Sequence, residues 1–282
     1  MKPPAGEAAP ESDRFDEAPH PRLTQALVGH AEAERTLLDG YRTGRLAHAW
    51  LIGGREGIGK ATLAWRFARF VLAHPDPATP AVQDAASLSV APDHPVARRL
   101  AAGSMSDVFV LRREWNDKVK PAKFFTEIRI DDVRRAIGLF QRAASAGGWR
   151  ICIVDCAEDL NASSANALLK LIEEPPPRCL FLIVSHKPAQ VLATIRSRCR
   201  RLLLQPLGAD AIAAAMRALG PPWSQQGVDA IAAAAASAGE CFSGDVVPRP
   251  TPHPESAKRI RAKKKTFKQW DISAPRVHPC TK

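Results

Sequence analysis

Short apolar runs alternate with longer amphipathic segments through the middle of the chain. Five of these runs have the length of β-strands, and they span residues 49–53, 107–111, 149–155, 180–184 and 201–204. Continuous apolar runs are typical of strands that are buried on both faces of a parallel sheet. The segments between them place apolar residues at helical spacing, as Ile130, Val133, Ile137 and Phe140 do. The pattern predicts an α/β fold with a doubly wound, parallel five-stranded sheet.

Helices are predicted between these strands from apolar spacing and from start and stop signals. An Asn- and Ser-containing start and three consecutive prolines, Pro175 to Pro177, bound a helix over residues 161–174. A short helix is expected over residues 188–194. The other predicted helices span residues 31–38, 60–73, 130–140, 209–219 and 228–238. Residues 74–103 are rich in Pro and Ala without periodicity, and we expect them to form an insertion or a long loop.

The two ends of the chain differ from the predicted domain over residues 23–207. Residues 1–22 are rich in Pro, Ala and acidic side chains, which predicts a flexible tail. The helices within 208–238 are expected to start a small helical lid, which is truncated because the pattern stops at Gly239. Residues 239–282 hold ten Lys or Arg against four Asp or Glu, and six Pro. A disordered basic tail is the favoured interpretation there, and an arm that binds nucleic acid is the alternative.

A glycine-rich turn follows the first predicted strand and leads into a predicted helix. Its spacing fits G-x-x-x-x-G-K, the phosphate-binding loop. Glycines let backbone N–H groups turn toward an anion, and the N-terminus of the next helix adds partial positive charge. Lys60 would reach the terminal phosphates of a bound nucleotide. The glycines of the loop are Gly54, Gly57 and Gly59.

The metal ligand of this loop departs from the motif. Position 61 is Ala, where the motif has a Ser or Thr that binds magnesium. Thr62 comes one residue late, and one residue on a helix turns a hydroxyl by roughly 100°. We expect a degenerate nucleotide site that includes Thr62 and can bind ATP. Whether magnesium binds there is undecided at this point.

Two further candidate residues follow later strands of the predicted sheet. Asp155 ends the third strand, and Ser185 follows the fourth. Ligands of open α/β sheets bind at the carboxyl ends of the strands. We therefore expect Lys60, Asp155 and Ser185 to line one nucleotide site.

Composition and charge narrow the protein class. The six cysteines form no C-x-x-C pair, so free thiols are expected. No apolar run approaches the roughly 20 residues of a membrane span, and the N-terminus lacks the apolar region of a signal peptide. A cytoplasmic protein without a membrane partner is therefore expected. The net charge of +11 is compatible with nucleotide or DNA partners.

Four stretches resemble a known family. They are residues 47–60, residues 153–155, residues 166–176 and Ser197-Arg198-Cys199. The run L-L-K-x-x-E-E-P-P followed by S-R-C is specific to clamp-loader subunits. Over residues 23–238 the chain resembles the delta-prime family of the bacterial DNA polymerase III clamp loader, whose members are AAA+ proteins.

The resemblance implies a fold, a process and partners. The fold is the AAA+ P-loop NTPase fold with a helical lid. The process is DNA replication, in which the clamp loader of this DNA-directed DNA polymerase, a nucleotidyltransferase complex, places the sliding clamp on primed DNA. The implied partners are the ATPase subunits gamma or tau, the delta subunit, the sliding clamp and primed DNA. The family often carries a Cys-rich zinc module after the first helix, but residues 74–103 lack Cys, so no zinc is expected.

The resemblance also implies roles for single residues. ATP-hydrolysing members carry a magnesium-binding Asp followed directly by a catalytic Glu. Asp155 matches the Asp, but Cys156 replaces the Glu, and Glu158 is expected to point elsewhere. With Ala61, this departure implies weak or absent hydrolysis by this chain. Arg198 of the S-R-C motif would act as an arginine finger on ATP that a neighbouring subunit binds. The structural alternative is that Arg198 pairs with a local carboxylate.

Two other functions stay open at this point. A self-sufficient AAA+ ATPase of DNA replication or repair would turn over ATP alone, which Ala61 and Cys156 argue against. A DNA-binding protein that uses residues 239–282 would show salt-sensitive affinity.

Overall fold

A parallel five-stranded sheet lies at the centre of the computed structural model, which describes residues 10–14, 19–140 and 148–218. The strands of the chain are β1 (Ala49–Gly53), β2 (Val108–Leu111), β3 (Trp115–Asn116), β4 (Lys123–Phe124), β5 (Arg150–Val154), β6 (Cys179–Ser185) and β7 (Arg200–Leu203). The sheet has the order β2-β5-β6-β1-β7, while β3 and β4 form a separate antiparallel pair. The five predicted strands and the α/β sheet are confirmed.

Both faces of the central strands are buried, in two different apolar layers. In β6, Leu180, Leu182 and Val184 contribute to one layer. Phe181 and Ile183 contribute to the other. All residues of β6 are buried, and this explains why the strand reads as a continuous apolar run.

Helices cover the two faces of the sheet. They are α1 (Ala31–Arg42), α2 (Lys60–Ala73), α3 (Pro80–Gln83), α4 (Pro95–Ala101), α5 (Ile130–Phe140), α6 (Ala162–Glu173), α7 (Ala193–Arg198) and α8 (Ala209–Ala218). Helices α1 to α4 pack on the layer that contains Leu182. Helices α5 to α7 pack on the layer that contains Phe181. None of the helices within the described ranges has the length and apolar character needed to cross a bilayer.

The strand register brings the carboxyl ends of the parallel strands to one side of the sheet. Gly53 at the end of β1 pairs with Ser185 of β6 and Leu203 of β7. Val154 at the end of β5 pairs with Ile183. We call this side the carboxyl edge and the opposite side, where the strands begin, the amino edge. The loop after β1, Asp155 and Ser185 therefore share the carboxyl edge.

Residues 74–103 contain helices α3 and α4, so of the two expected alternatives the long loop is wrong and the insertion stays a prediction. Both helices begin with proline, which suits the first helical turn. The side chain of His94 accepts a hydrogen bond from the N–H of Val96 and caps α4. Ala97 and Leu100 are buried against the layer that α2 covers. The two helices are too short for their apolar period to show in the sequence.

The short helix expected over residues 188–194 is also misplaced. Helix α7 begins at Ala193, because Leu192 before it has extended backbone angles of −48° and 131°. Val191 and Ile195 are buried on either side of this start. The shift makes Arg198 the last residue of α7. The predicted helix over 228–238 and the predicted tail over 239–282 lie outside the described residues.

Part of the predicted N-terminal tail is packed on the domain. Arg112, the residue after β2, pairs with Glu11 at 2.7 Å and with Asp13 at 2.5 Å. Arg22 pairs with Glu11 at 2.7 Å, and His20 lies 3.1 Å from Asp13. Of the acidic side chains that suggest disorder in the sequence, Glu11 and Asp13 are thus matched by basic partners.

Candidate nucleotide and arginine sites

The loop between β1 and α2 turns through three glycines with positive φ. The φ angles are 147° at Gly54, 77° at Gly57 and 101° at Gly59. L side chains rarely adopt these angles. A Cβ atom at Gly54 would lie 2.8 Å from the carbonyl oxygen of Leu204. The loop ends at the N-terminus of α2, where free N–H groups and the helix dipole suit an anion.

Lys60 lies inside this loop. Its side chain is buried, with 3% of its surface exposed. Its ammonium group donates a hydrogen bond of 2.5 Å to the carbonyl oxygen of Arg55. Burial lowers the pKa of Lys60, while the nearby carboxyl groups of Asp155 and Glu158 oppose that shift. Lys60 and Asp155 are thus close enough to influence each other electrostatically, and their sharing of a nucleotide site stays a prediction.

Asp155 sits directly after β5, beside several charged groups. Burial raises the pKa of Asp155 to about 7, and Asp13 adds to the rise while Lys60 opposes it. Burial also raises the pKa of Cys156, so its thiol stays protonated near neutral pH. A protonated thiol cannot accept a proton from water as a carboxylate does. The position after Asp155 therefore supplies no general base.

Glu158 contacts Ser185, in contrast to the expectation that it points elsewhere. Residues 157–159 form a 3₁₀ turn after β5, which brings Glu158 back to the carboxyl edge. Oε1 of Glu158 accepts hydrogen bonds from the Ser185 hydroxyl and, at 2.7 Å, from the N–H of Lys187. Burial raises the pKa of Glu158, but these hydrogen bonds outweigh it and hold the pKa below the usual value. Ser185 thus lies in the predicted site, with a carboxylate partner that the sequence did not assign.

Thr62 and Ala61 occupy the first turn of α2, and both are half-buried. Ala61 brings no oxygen to the site, and Cys156 brings a thiol in place of a carboxylate. Hard cations such as magnesium prefer oxygen ligands. Across residues 10–14, 19–140 and 148–218, no group of three or more His, Cys, Asp or Glu is arranged to hold a metal ion. The glycine loop suits phosphate, whereas the oxygen set for magnesium is poor.

The segment before α1 packs against the phosphate-binding loop. A ring nitrogen of His30, Nε2, lies 2.6 Å from the carbonyl oxygen of Ile58, and the His30 side chain is buried. A Cβ atom at Gly59 would lie 3.2 Å from Cδ1 of Leu27. Sequence reasoning assigned no role to these residues. The available signal was the Gly29-His30 pair directly before the first helix.

Arg198 lies far from this loop, at the amino edge of the sheet. It ends α7, two residues before the first residue of β7, and Arg200 pairs with Trp50 near the start of β1. Nη2 of Arg198 lies 2.7 Å from Oε1 of Glu173, which is the local carboxylate of the structural alternative. Nη1 donates a 3.1 Å hydrogen bond to the carbonyl oxygen of Thr194. The side chains of Arg198 and Glu173 are 41% and 45% exposed, so both are open to solvent.

Comparisons with known proteins agree with this architecture. A family model described as DNA polymerase III, delta subunit, matches residues 29–208. DNA polymerase III subunit delta' of Pseudomonas aeruginosa is 37% identical over 153 residues, which cover 54% of this chain and 42% of that protein. DNA polymerase III subunit tau of Bacillus subtilis is 28% identical over 196 residues, which cover 70% of this chain and 31% of that protein. The matches span less than half the length of these curated relatives.

A solved structure is also similar. It is a crystal structure of a DNA polymerase III gamma subunit-related protein from Thermotoga maritima. The similarity covers 72% of this chain and 58% of that chain, with 17% sequence identity and a TM-score of 0.46.

Proposed function

The chain belongs to the DNA polymerase III delta subunit family, and we propose that it serves as a delta-prime subunit of the clamp loader that supplies Arg198 to a neighbouring ATPase subunit. In this role it helps to place the sliding clamp on primed DNA during replication. Its neighbours are an ATPase subunit of the gamma or tau type and the delta subunit. The similarity to proteins named delta' and tau supports this assignment.

The position of Arg198 carries the proposal. Gly53 pairs with Leu203 at one end of β7, and Trp50 pairs with Arg200 at the other. At about 3.3 Å per residue, the three residue steps between these pairs put about 10 Å of strand between Arg198 and the chain's own loop. The exposure of Arg198 on the opposite edge supports the proposal that it acts on phosphates bound by another molecule. There it stabilises the charge that spreads over the transferred phosphoryl oxygens.

The chain's own loop is assigned a holding role. The glycine turn and Lys60 would bind the phosphates of a nucleotide, and Ser185 lies at the same edge. Asp155 would supply one oxygen ligand to a magnesium ion, and that ion would neutralise phosphate charge there. Ala61 and Cys156 remove the second metal ligand and the general base, so we expect retention of a nucleotide with little turnover.

The test is Arg198→Ala in a clamp loader rebuilt with the full chain and its ATPase partners. We expect ATP turnover at the site next to this chain to fall by on the order of 10³-fold, because the arginine finger is lost. The measurement is DNA-stimulated ATP hydrolysis by a loader in which only that neighbouring site is active. Arg196→Ala is the matched control, since Arg196 lies on the same helix and donates to the carbonyl oxygen of Ala189 at 2.9 Å. Equal rates of ATP hydrolysis for the two variants would refute the role of Arg198 as an arginine finger.

A self-sufficient ATPase is the second candidate, and the placement of Glu158 favours it. The carboxylate of Glu158 lies at the carboxyl edge, near Lys60 and against Ser185. If Glu158 served as the base, the isolated chain would hydrolyse ATP, and both Lys60→Ala and Glu158→Gln would abolish that turnover. We expect no turnover, because Oε1 already accepts two hydrogen bonds and the magnesium ligands are incomplete. Turnover that depends on Lys60, Glu158 and magnesium would replace the first proposal.

A further inference from the structure

The carboxylate that Arg198 contacts is itself placed unfavourably. Glu173 is the last residue of α6, where the helix dipole presents its negative end. A carboxylate at that end is repelled by the last carbonyl groups of the helix. Arg198 compensates for this repulsion, because its guanidinium lies 2.7 Å from the Glu173 carboxylate. Glu173 and Arg198 therefore form an ion pair at the amino edge.

The same guanidinium is also held by its own helix. Its Nη1 donates to the carbonyl oxygen of Thr194 at 3.1 Å and to the hydroxyl of Ser197 at 3.3 Å. The arginine is thus folded back along α7 and α6. To reach a phosphate on another molecule, it must exchange the Glu173 carboxylate for the phosphate oxygens.

The exposure of the pair makes that exchange easy. Both side chains are more than 40% exposed. Exposed ion pairs are weak because water and salt screen them. A triphosphate carries more negative charge than a carboxylate and forms stronger charge-assisted hydrogen bonds with an arginine. A phosphate therefore displaces Glu173 from Arg198. Competition from Glu173 still lowers the apparent affinity of Arg198 for that phosphate.

We propose that Glu173 is a positioning residue that holds Arg198 on its own subunit until the nucleotide of a neighbouring subunit takes the arginine over. This inference rests on the proposed function. In this inference, Glu173 of the E-E-P-P segment competes with the phosphates of the neighbouring subunit for Arg198.

Glu174 supplies a matched comparison. It is the next residue along the chain and is exposed. Among the residues that the structure describes, its carboxylate forms no ion pair or hydrogen bond. Glu174→Gln removes the same charge at nearly the same place but leaves the pair of Glu173 and Arg198 intact.

The experiment titrates the full chain into its ATPase partners and follows ATP hydrolysis. For Glu173→Gln we expect the chain concentration at half-maximal activity to fall about two- to fivefold, the range that a weak exposed pair allows. The maximal rate should stay unchanged, because the finger itself is intact. The difference from wild type should shrink between about 0.1 M and about 0.5 M salt, where screening becomes strong. Glu174→Gln should behave as wild type in each respect.

The outcomes separate this inference from the proposed function. If Arg198→Ala lowers the maximal rate but Glu173→Gln matches Glu174→Gln, the holding role of Glu173 is refuted and the finger stands. A higher half-maximal concentration or a lower maximal rate for Glu173→Gln also refutes it, since the pair would then assist the finger. If Arg198→Ala changes nothing, or the wild-type chain does not alter ATP hydrolysis, the proposed function falls and this inference with it.

Discussion

Gly59 ends the phosphate-binding loop at the first turn of α2, with φ at 101°. A side chain at this angle is strained, and its Cβ would press on Leu27. We expect Gly59→Ala to lower the free energy of unfolding by about 1–2 kcal/mol. Denaturant unfolding of the purified chain measures this loss.

Gly138 provides the control for that substitution. It lies in the interior of α5, and a Cβ there would meet nothing within 4 Å. Gly138→Ala should therefore stabilise the chain by about 0.5–1 kcal/mol. If Gly59→Ala left stability unchanged or raised it as Gly138→Ala is expected to, the strain assigned to Gly59 would be contradicted.

The edge at which three candidate residues lie could be predicted from their places relative to the strands. Asp155 follows β5, Ser185 ends β6, and Lys60 comes after the loop that follows β1, and a parallel sheet brings such positions to one edge. Glu158 could not be placed, because its direction depends on the 3₁₀ turn over residues 157–159. The pairing of Arg198 with Glu173 was foreseen only as an alternative, since it depends on how α6 and α7 pack.

At the scale of elements, the ion pairs of residues 10–13 should make stability depend on pH. Burial raises the pKa of Glu11, but the hydrogen bonds from Arg22 and Arg112 outweigh it and lower the pKa from 4.5 to about 2. A lowered carboxyl pKa stabilises the folded state above pH 4.5, and this contribution is lost as pH falls toward 2. We expect Glu11→Gln to cost about 1–2 kcal/mol at pH 7, after solvent screening is allowed for.

The measurement is urea unfolding of wild type and Glu11→Gln at several pH values. The difference between them should start to shrink below pH 4.5 and disappear as the pH falls through about 2, the pKa of Glu11 in the folded state. Glu32→Gln is the control, because Glu32 is exposed in the first turn of α1 and forms no ion pair within the described ranges. A pH-independent difference for Glu11→Gln would show that the pairs with Arg22 and Arg112 are not its cause.

The strands of the main sheet were predicted within a residue or two, whereas α1 extends four residues beyond its predicted end and the short helices were missed or misplaced. The strands β1 and β6 are continuous apolar runs because both of their faces are buried. Helices α3 and α4 contain four and seven residues, too few for a helical period to appear. The start of α7 depends on the extended backbone of Leu192, for which the sequence carries no signal.

At the scale of the whole molecule, the sheet separates the two candidate sites. The carboxyl edge carries the glycine loop, Lys60 and Asp155, and the amino edge carries Arg198. Strand and helix alternation predicted that Lys60, Asp155 and Ser185 lie at one edge, because every strand runs in the same direction, but it assigned no edge to Arg198. Alternation also could not place the N-terminal segment, in which Glu11 and Asp13 form ion pairs with Arg112.

Because the phosphate-binding loop and Arg198 lie at opposite edges of the sheet, the two edges of one subunit can make different contacts with its neighbours. Contacts that join the amino edge of one subunit to the carboxyl edge of the next are head-to-tail, and they form rings or filaments rather than two-fold dimers. Each member of such a row donates on one side and receives on the other. On the proposed function, a member that holds nucleotide without turnover would act only as an arginine donor. Its position in the row would then determine which neighbouring subunit hydrolyses ATP, so the order of assembly would affect the chemistry.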